Sequence, residues 1–169
     1  MGATSNLGNT TILGKILAID YGRARIGLAI ADAVTRMAQP LGTLERINRN
    51  EDMRRLRELA REHAVKLIVV GLPLRLDGTR SEMAEEASRF AERVRKQIGV
   101  PVEMVDERLT SWEAERLMEE VGGRVLHKES PVTGRKIRKD PGKLTVDSVA
   151  AAVILKEYLE RQETAEEKS

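Results

Sequence analysis

Near its amino terminus the chain carries the stretch KILAIDYGRARIGLAIA, residues 15–31. Two apolar runs, 15–20 and 25–31, flank the short segment Tyr21-Gly22-Arg23-Ala24. Apolar runs of this length on either side of a Gly-containing turn are typical of a β-hairpin. We therefore expect two antiparallel strands, with Asp20 as the last residue of the first one.

The rest of the chain predicts strands that alternate with helices. A third strand is expected over residues 41–46, followed by a helix capped by Asn50. Residues 65–70 form an unbroken apolar run, which is typical of a buried parallel strand. The remaining predicted elements are a helix over 81–98, a strand over 102–105, a helix that begins with the capping box of Thr110 and Glu113, and a helix over 146–159. This order indicates an α/β fold with a mixed five-stranded sheet flanked by helices.

Three acidic residues lie where these predicted elements begin or end: Asp20, Glu107 and Asp147. Carboxylates among apolar residues lose hydration and need hydrogen bonds, a cation or a metal as partners. We expect the strands that precede Asp20 and Glu107 to be neighbours, which would bring all three carboxylates to one edge of the sheet. Asp106 and Glu107 alternate on an extended chain, so only one of them can join the group. A cluster of this kind indicates a divalent-metal site for phosphoryl transfer.

Composition and charge limit the classes of protein to consider. The 169 residues predict one domain, residues 15–160, with a flexible arm over 1–14 and a flexible tail over 161–169. The absence of cysteine is compatible with a reducing compartment, and we expect a cytoplasmic protein without a membrane span. Although 29 Lys and Arg nearly balance 27 Asp and Glu, residues 124–143 hold seven cations against two acidic residues. A basic loop of this kind favours a polyanionic partner.

Four motifs together resemble one known family. They are residues 19–29 (IDYGRARIGLA) followed by Asp32, residues 70–74 (VGLPL) followed by Asp-Gly-Thr at 77–79, residues 106–111 (DERLTS), and residues 147–151 (DSVAA). In this order they resemble the YqgF family, also called RuvX. Its members are RNase H-like nucleases linked to maturation of pre-16S rRNA or to resolution of Holliday junctions.

The resemblance implies an RNase H-like fold in which Asp20, Glu107 and Asp147 are catalytic residues and metal ligands. It favours Glu107 over Asp106 as the third ligand. Magnesium is the expected ion, and manganese can substitute for it, because both accept carboxylate, water and phosphate oxygens. We expect Asp20 to bridge two ions. The expected substrate is precursor rRNA rather than branched DNA, and the expected assembly is a monomer or a homodimer.

Cations near the acidic residues are candidates for binding the phosphate backbone, since arginine binds phosphate bidentately. For Arg23, Arg25 and Arg108 a surface ion pair is an equally good interpretation. The nucleic-acid-binding candidates are Arg23, Arg25, Arg108, Arg135, Lys136, Arg138, Lys139 and Lys143. Asp32 is a weaker candidate for the site, with a turn role as its alternative.

Three other functions remain open at this stage. The chain could be a Holliday junction resolvase acting on branched DNA, or a nucleic-acid-binding module without catalysis. Sugar kinases and actin-like ATPases also begin with a strand that ends in Asp and a Gly-containing hairpin. They need two such domains, whereas 169 residues supply one.

Overall fold

The structure is a computed structural model that describes residues 14–72, 81–106 and 145–168. These residues form five strands and three helices. Their bounds, in chain order, are β1 (Lys15–Asp20), β2 (Arg25–Asp32), β3 (Ala38–Glu45), α1 (Arg49–Glu62), β4 (Val65–Leu72), α2 (Glu82–Ile98), β5 (Val102–Asp106) and α3 (Val146–Glu167). The helix predicted to begin at Thr110 lies outside the described residues.

The five strands form one mixed sheet in the order β3-β2-β1-β4-β5. β1 and β2 pair antiparallel, as the predicted hairpin requires, and β2 pairs antiparallel with β3. β4 pairs parallel with β1 on one side and with β5 on the other. The predicted mixed five-stranded sheet flanked by helices is therefore confirmed.

The expectation that the strands before Asp20 and Glu107 are neighbours is wrong, because β4 lies between β1 and β5. β4 is the most apolar strand and is buried over Leu67, Ile68, Val69 and Val70, which suits it to the inside of the sheet. β1 and β5 are both parallel to β4. Their carboxyl ends therefore still lie at the same edge of the sheet.

Two apolar cores cover the two faces of the sheet, since side chains alternate along each strand. One core joins α1 and α2 to the face that carries Leu17, Ile19 and Val70. The other joins α3 to the face that carries Ile16, Ala18 and Val105. We call the second one the α3 face. None of the helices in the described part of the chain is long and apolar enough to cross a membrane.

Several element boundaries differ from the predicted ones. Asn48, rather than Asn50, caps α1, because its side-chain oxygen accepts a hydrogen bond from the Glu51 amide at 2.9 Å. α3 continues to Glu167 instead of ending at residue 159. Arg36 forms ion pairs with Glu163 and Glu166 at 3.0 and 3.2 Å, which stabilise the last turns of this helix. These contacts join residues far apart in the sequence, so no local pattern indicates them.

Candidate active site

Asp20 lies at the end of β1 and is half-buried. Its cross-strand partner is Gly27 of β2. Because Ile16 and Ala18 belong to the core beneath α3, the alternation of the strand places Asp20 on the α3 face as well. The carboxylate thus lies at the edge of the sheet, on the side from which α3 approaches.

Gly27 brings the first turn of α3 against the sheet. A Cβ atom added at Gly27 would lie 2.0 Å from the backbone oxygen of Asp147 and 2.9 Å from its Cβ atom. Real Cβ atoms do not make heavy-atom contacts under 3.0 Å, so only glycine permits this approach. Asp147 therefore lies against Gly27, the cross-strand partner of Asp20.

The amino terminus of α3 is fixed by its cap. The Thr145 side chain accepts a hydrogen bond from the Ser148 amide, and the Ser148 hydroxyl accepts one from the Thr145 amide, both at 3.0 Å. The Thr145 hydroxyl also forms a hydrogen bond with the hydroxyl of Thr43 on β3. Thr43 is the cross-strand partner of Gly27. The cross-strand partners Thr43, Gly27 and Asp20 thus form one row across the sheet. Thr43 contacts the cap of α3 at one end of this row, and Asp20 carries the first carboxylate at the other.

This row limits the distance between the two acidic residues. Cross-strand Cβ atoms are about 4.5–5.5 Å apart, and Asp147 Cβ lies 2.9 Å from the Cβ position of Gly27. The Cβ atoms of Asp20 and Asp147 are therefore separated by at most about 8.4 Å. The Asp147 side chain keeps 34% of its surface exposed. Two carboxylates at this spacing, open to solvent, fit a shared hard cation.

Within residues 14–72, 81–106 and 145–168, no group of three or more His, Cys, Asp or Glu residues is arranged to hold a metal ion. The third predicted ligand, Glu107, lies outside the described residues. Asp106 pairs with Leu72 and follows Val105, which belongs to the core beneath α3. Asp106 therefore lies on the opposite face from Asp20 and Asp147.

Arg25 reaches the site, whereas Arg23 does not. Arg25 Nε lies 3.2 Å from Asp147 Oδ2, and about half of the Arg25 side chain is exposed. The Arg23 side chain instead reaches α2, where Nη2 donates to Glu86 Oε1 at 2.7 Å and Nε donates to both carboxylate oxygens. These hydrogen bonds and the opposite charge of its partner raise the pKa of Arg23, and the hydrogen bonds and the Arg23 charge likewise lower the pKa of Glu86. Arg23 therefore joins the hairpin to α2.

Asp32 has the turn role that was its alternative interpretation. Its Oδ1 accepts hydrogen bonds from the amides of Val34 and Thr35, at 2.8 and 3.3 Å. Asp32 pairs with Lys15 at the start of β1, so it lies at the opposite edge of the sheet from Asp20. The other predicted binding residues lie outside the described part of the chain and stay predictions: Arg108, Arg135, Lys136, Arg138, Lys139 and Lys143.

Sequence reasoning missed Gly27 and Thr43. A glycine inside an otherwise β-branched and apolar strand often marks the close approach of another backbone, and this signal points to Gly27. It does not reveal which backbone approaches. Thr43 carries no local signal, because its role depends on the position of α3.

The arrangement of strands and helices defines the class of protein, an RNase H-like fold of the RuvC type. The structure of Thermus thermophilus RuvC in complex with a Holliday junction substrate superposes with a TM-score of 0.56. The match covers 89% of this chain and 97% of that chain at 15% sequence identity, so the likeness concerns the fold alone.

Sequence comparison then gives the family. A family model described as "RuvX: Holliday junction resolvase" matches residues 14–161, and the chain belongs to the RuvX family. A relative from Anaeromyxobacter sp. (strain K) is 41% identical over 148 residues, which cover 88% of this chain and 98% of the relative. A relative from Koribacter versatilis (strain Ellin345) is 39% identical over 153 residues, which cover 90% and 91%. Each relative is named "Putative pre-16S rRNA nuclease".

These comparisons confirm the predicted family and fold. At the level of the family they also confirm the enzyme class, a nuclease and therefore a hydrolase.

Proposed function

We propose that this protein is a divalent-metal-dependent nuclease that cleaves phosphodiester bonds at the 5′ end of pre-16S rRNA during ribosome biogenesis. The observation that carries the proposal is the approach of Asp147 to Asp20 across Gly27. The names of the two relatives support the choice of RNA substrate. The cytoplasm remains the expected compartment.

The carboxylates of Asp20, Glu107 and Asp147 would hold Mg²⁺, for which Mn²⁺ can substitute. When bound, such ions supply an activated water and neutralise charge on the leaving oxygen. Asp20 is fixed by β1 and its pairing with Gly27, and it would be the central ligand. Asp147 approaches from the capped end of α3. Since Asp106 lies on the opposite face, Glu107 remains the candidate for the third ligand.

The cations of this chain would bind and orient the phosphate backbone. Arg25 lies within 3.2 Å of Asp147, and it is exposed enough to turn toward a phosphate. The basic residues of the 124–143 segment add the salt-dependent affinity that phosphate contacts supply. With four aromatic residues in 169, base stacking contributes little to binding.

The test compares the wild-type protein with Asp20→Asn on two substrates, a precursor rRNA leader and a synthetic four-way DNA junction. Each is incubated with Mg²⁺, Mn²⁺ or a chelator. We expect metal-dependent cleavage of the leader by the wild type and a loss of roughly 10³-fold or more in Asp20→Asn, because the central ligand is lost. Asp32→Asn is the matched control, since it changes the same residue type at the opposite edge of the sheet. It should retain full activity.

Each rival function gives a different result in the same assay. Cleavage of the four-way junction alone would favour the second candidate, a Holliday junction resolvase, which the description of the matching family supports. Binding of RNA without cleavage, indifferent to Mg²⁺ and to Asp20→Asn, would favour a non-catalytic module. Equal turnover by the wild type and Asp20→Asn would contradict the proposed site.

A further inference from the structure

The guanidinium group of Arg46 holds the hairpin turn that follows Asp20. Arg46 Nη1 donates to the Tyr21 hydroxyl at 3.0 Å and to the Gly22 carbonyl at 3.3 Å. Its Nε donates to Asp52 Oδ2 at 3.1 Å. Arg46 thus connects the two residues after Asp20 to the first turn of α1.

Asp52 fixes this guanidinium from a buried position. Its side chain is 1% exposed, and its Oδ1 accepts hydrogen bonds from the Ile47 amide at 3.0 Å and from Arg55 Nη2 at 2.8 Å. Arg55 Nη2 also donates to the Glu45 carbonyl at 2.7 Å. A buried carboxylate with this many donors cannot turn away without losing several charge-assisted hydrogen bonds. Asp52 therefore holds the Arg46 guanidinium in one orientation.

Aromatic contacts restrict the same guanidinium. The Arg46 Cζ atom lies 5.1 Å from the ring centre of Tyr21 and 5.7 Å from that of Phe90 on α2. The Tyr21 hydroxyl donates to Glu86 Oε2 at 3.3 Å, and Glu86 also binds Arg23 on the other side of the turn. Burial opposes the charge of Arg46 and is the largest single effect on its pKa. Hydrogen bonds to Asp52 and Tyr21 outweigh it, so the pKa is raised.

The turn held in this way connects both sides of the site. Asp20 precedes it and Arg25 follows it. A Cβ atom at Gly22 would lie 2.3 Å from the Arg25 carbonyl oxygen, so the turn closes tightly on itself. A shift of the Gly22 carbonyl would therefore displace the backbone on either side.

We infer that Arg46 is a positioning residue that sets the backbone of the Asp20–Arg25 turn and thereby the placement of the Asp20 carboxylate for a divalent cation. Arg46 lies on the opposite face of the sheet from that carboxylate and acts through the turn. This inference rests on the proposed function, because it concerns the same site.

Arg55 offers a matched control. It binds the same buried carboxylate as Arg46, but its other hydrogen bond goes to the Glu45 carbonyl rather than to the hairpin turn. Arg46→Met and Arg55→Met each remove one partner of Asp52, so both should lower the melting temperature. Only Arg46→Met removes the contacts to Tyr21 and Gly22.

The experiment measures Mn²⁺ binding by titration calorimetry without substrate, and the Mg²⁺ concentration that gives half-maximal cleavage of the rRNA leader. Residues that orient metal ligands typically change metal affinity by roughly 10–100-fold when they are removed. We expect a loss of about tenfold or more in Arg46→Met and less than about twofold in Arg55→Met. Tyr21→Phe, which keeps the ring and loses only the hydroxyl, should shift both readouts in the same direction by a smaller factor.

The outcomes separate the inference from the proposed function. Equal shifts in the two Met variants, or unchanged Mn²⁺ affinity in a folded Arg46→Met protein, would overturn the inference alone. If Arg46→Met does not fold, Tyr21→Phe decides, and unchanged metal affinity in that variant would also overturn it. A wild-type protein that neither binds Mn²⁺ nor cleaves would overturn the proposed function, and the inference with it.

Discussion

Because Gly27 has no side chain, the backbone of α3 can lie directly against β2 beside Asp20. The first carboxylate depends on β1 and the second on α3, so their spacing depends on this one contact. Asp20 and Asp147 stand out in the sequence, because one carboxylate ends an apolar strand and the other lies in the first turn of an apolar helix. Their catalytic role stays a prediction. The contact of Gly27 and the network of Arg46 cannot be predicted, because both join residues distant in the sequence.

Gly27→Ala tests this contact. The added Cβ atom would lie 2.0 Å from a backbone oxygen, so α3 must move by about 1 Å, and misplacement of this size can reduce a rate by about 100-fold. We expect a cleavage loss of that order, together with about 1–3 kcal/mol of destabilisation from overpacking. Cleavage rates and urea unfolding measure the two effects.

Gly99→Ala is the control for Gly27→Ala. Gly99 ends α2 with φ of +74°, and a Cβ atom there would meet no heavy atom within 4 Å. An alanine in this left-handed conformation should lower the free energy of unfolding by about 1–2 kcal/mol. A similar loss of stability with full activity would show that destabilisation does not explain the effect at Gly27. Full activity of folded Gly27→Ala would contradict the role of this contact.

Arg25→Gln tests the predicted phosphate contact. The ion pair with Asp147 is exposed, so its loss should change the free energy of unfolding by less than about 1 kcal/mol. We expect weaker binding of the rRNA leader and a salt-dependence slope smaller by about one. Filter binding over a range of salt concentrations measures both. Arg54→Gln is the control, because Arg54 pairs with Glu51 and Glu58 on α1, and an equal loss in that variant would contradict a specific role for Arg25.

At the scale of elements, the cap of α3 sets the place where Asp147 enters the site. The bounds of strands and helices could largely be predicted, because hydrophobic period and capping residues are local properties. The position of β4 between β1 and β5 could not, because strand order depends on pairing between distant segments. The bulge between β2 and β3, at Leu28 and Ala29, is equally a property of the pair. Beyond the bulge β3 still pairs with β2 back to Ala38, whereas the sequence predicted its start at residue 41.

Thr145→Ala removes both the cap of α3 and its hydrogen bond to Thr43. Loss of such a cap costs about 0.5–2 kcal/mol, and a frayed first turn would free Asp147. We therefore expect a fall in metal affinity as well as in stability. Asn48→Ala, at the cap of α1, should cost a comparable amount of stability and leave metal affinity unchanged. Similar metal affinities in the two variants would contradict a role of the Thr145 cap in placing Asp147.

In the whole molecule, one face of the sheet supports the site and the other carries its carboxylates. The core beneath α1 and α2 holds the network of Arg46, Asp52 and Arg55, whereas the α3 face holds the carboxylates. The buried network on one face can therefore support the site rigidly, while the carboxylates on the other face stay open to solvent. The family and fold could be predicted because the motifs at residues 19–29 and 147–151 lie on the hairpin and the helix that build this edge.

Binding of a cation at the carboxylates should stabilise the whole domain, because the unfolded chain lacks the site. At tenfold excess over the dissociation constant the gain is about 1.4 kcal/mol, which corresponds to a rise in melting temperature of a few degrees. We expect this rise with Mn²⁺ in the wild type and its loss in Asp20→Asn. Asp32→Asn should respond as the wild type does. A similar rise in all three proteins would show that the ion binds elsewhere.

The most direct measurement is the anomalous scattering of a crystal soaked in Mn²⁺. We expect a peak at bonding distance from carboxylate oxygens of both Asp20 and Asp147, with Glu107 completing the site. A peak that contacts neither residue, or two carboxylates that face away from each other with no ion between them, would contradict it.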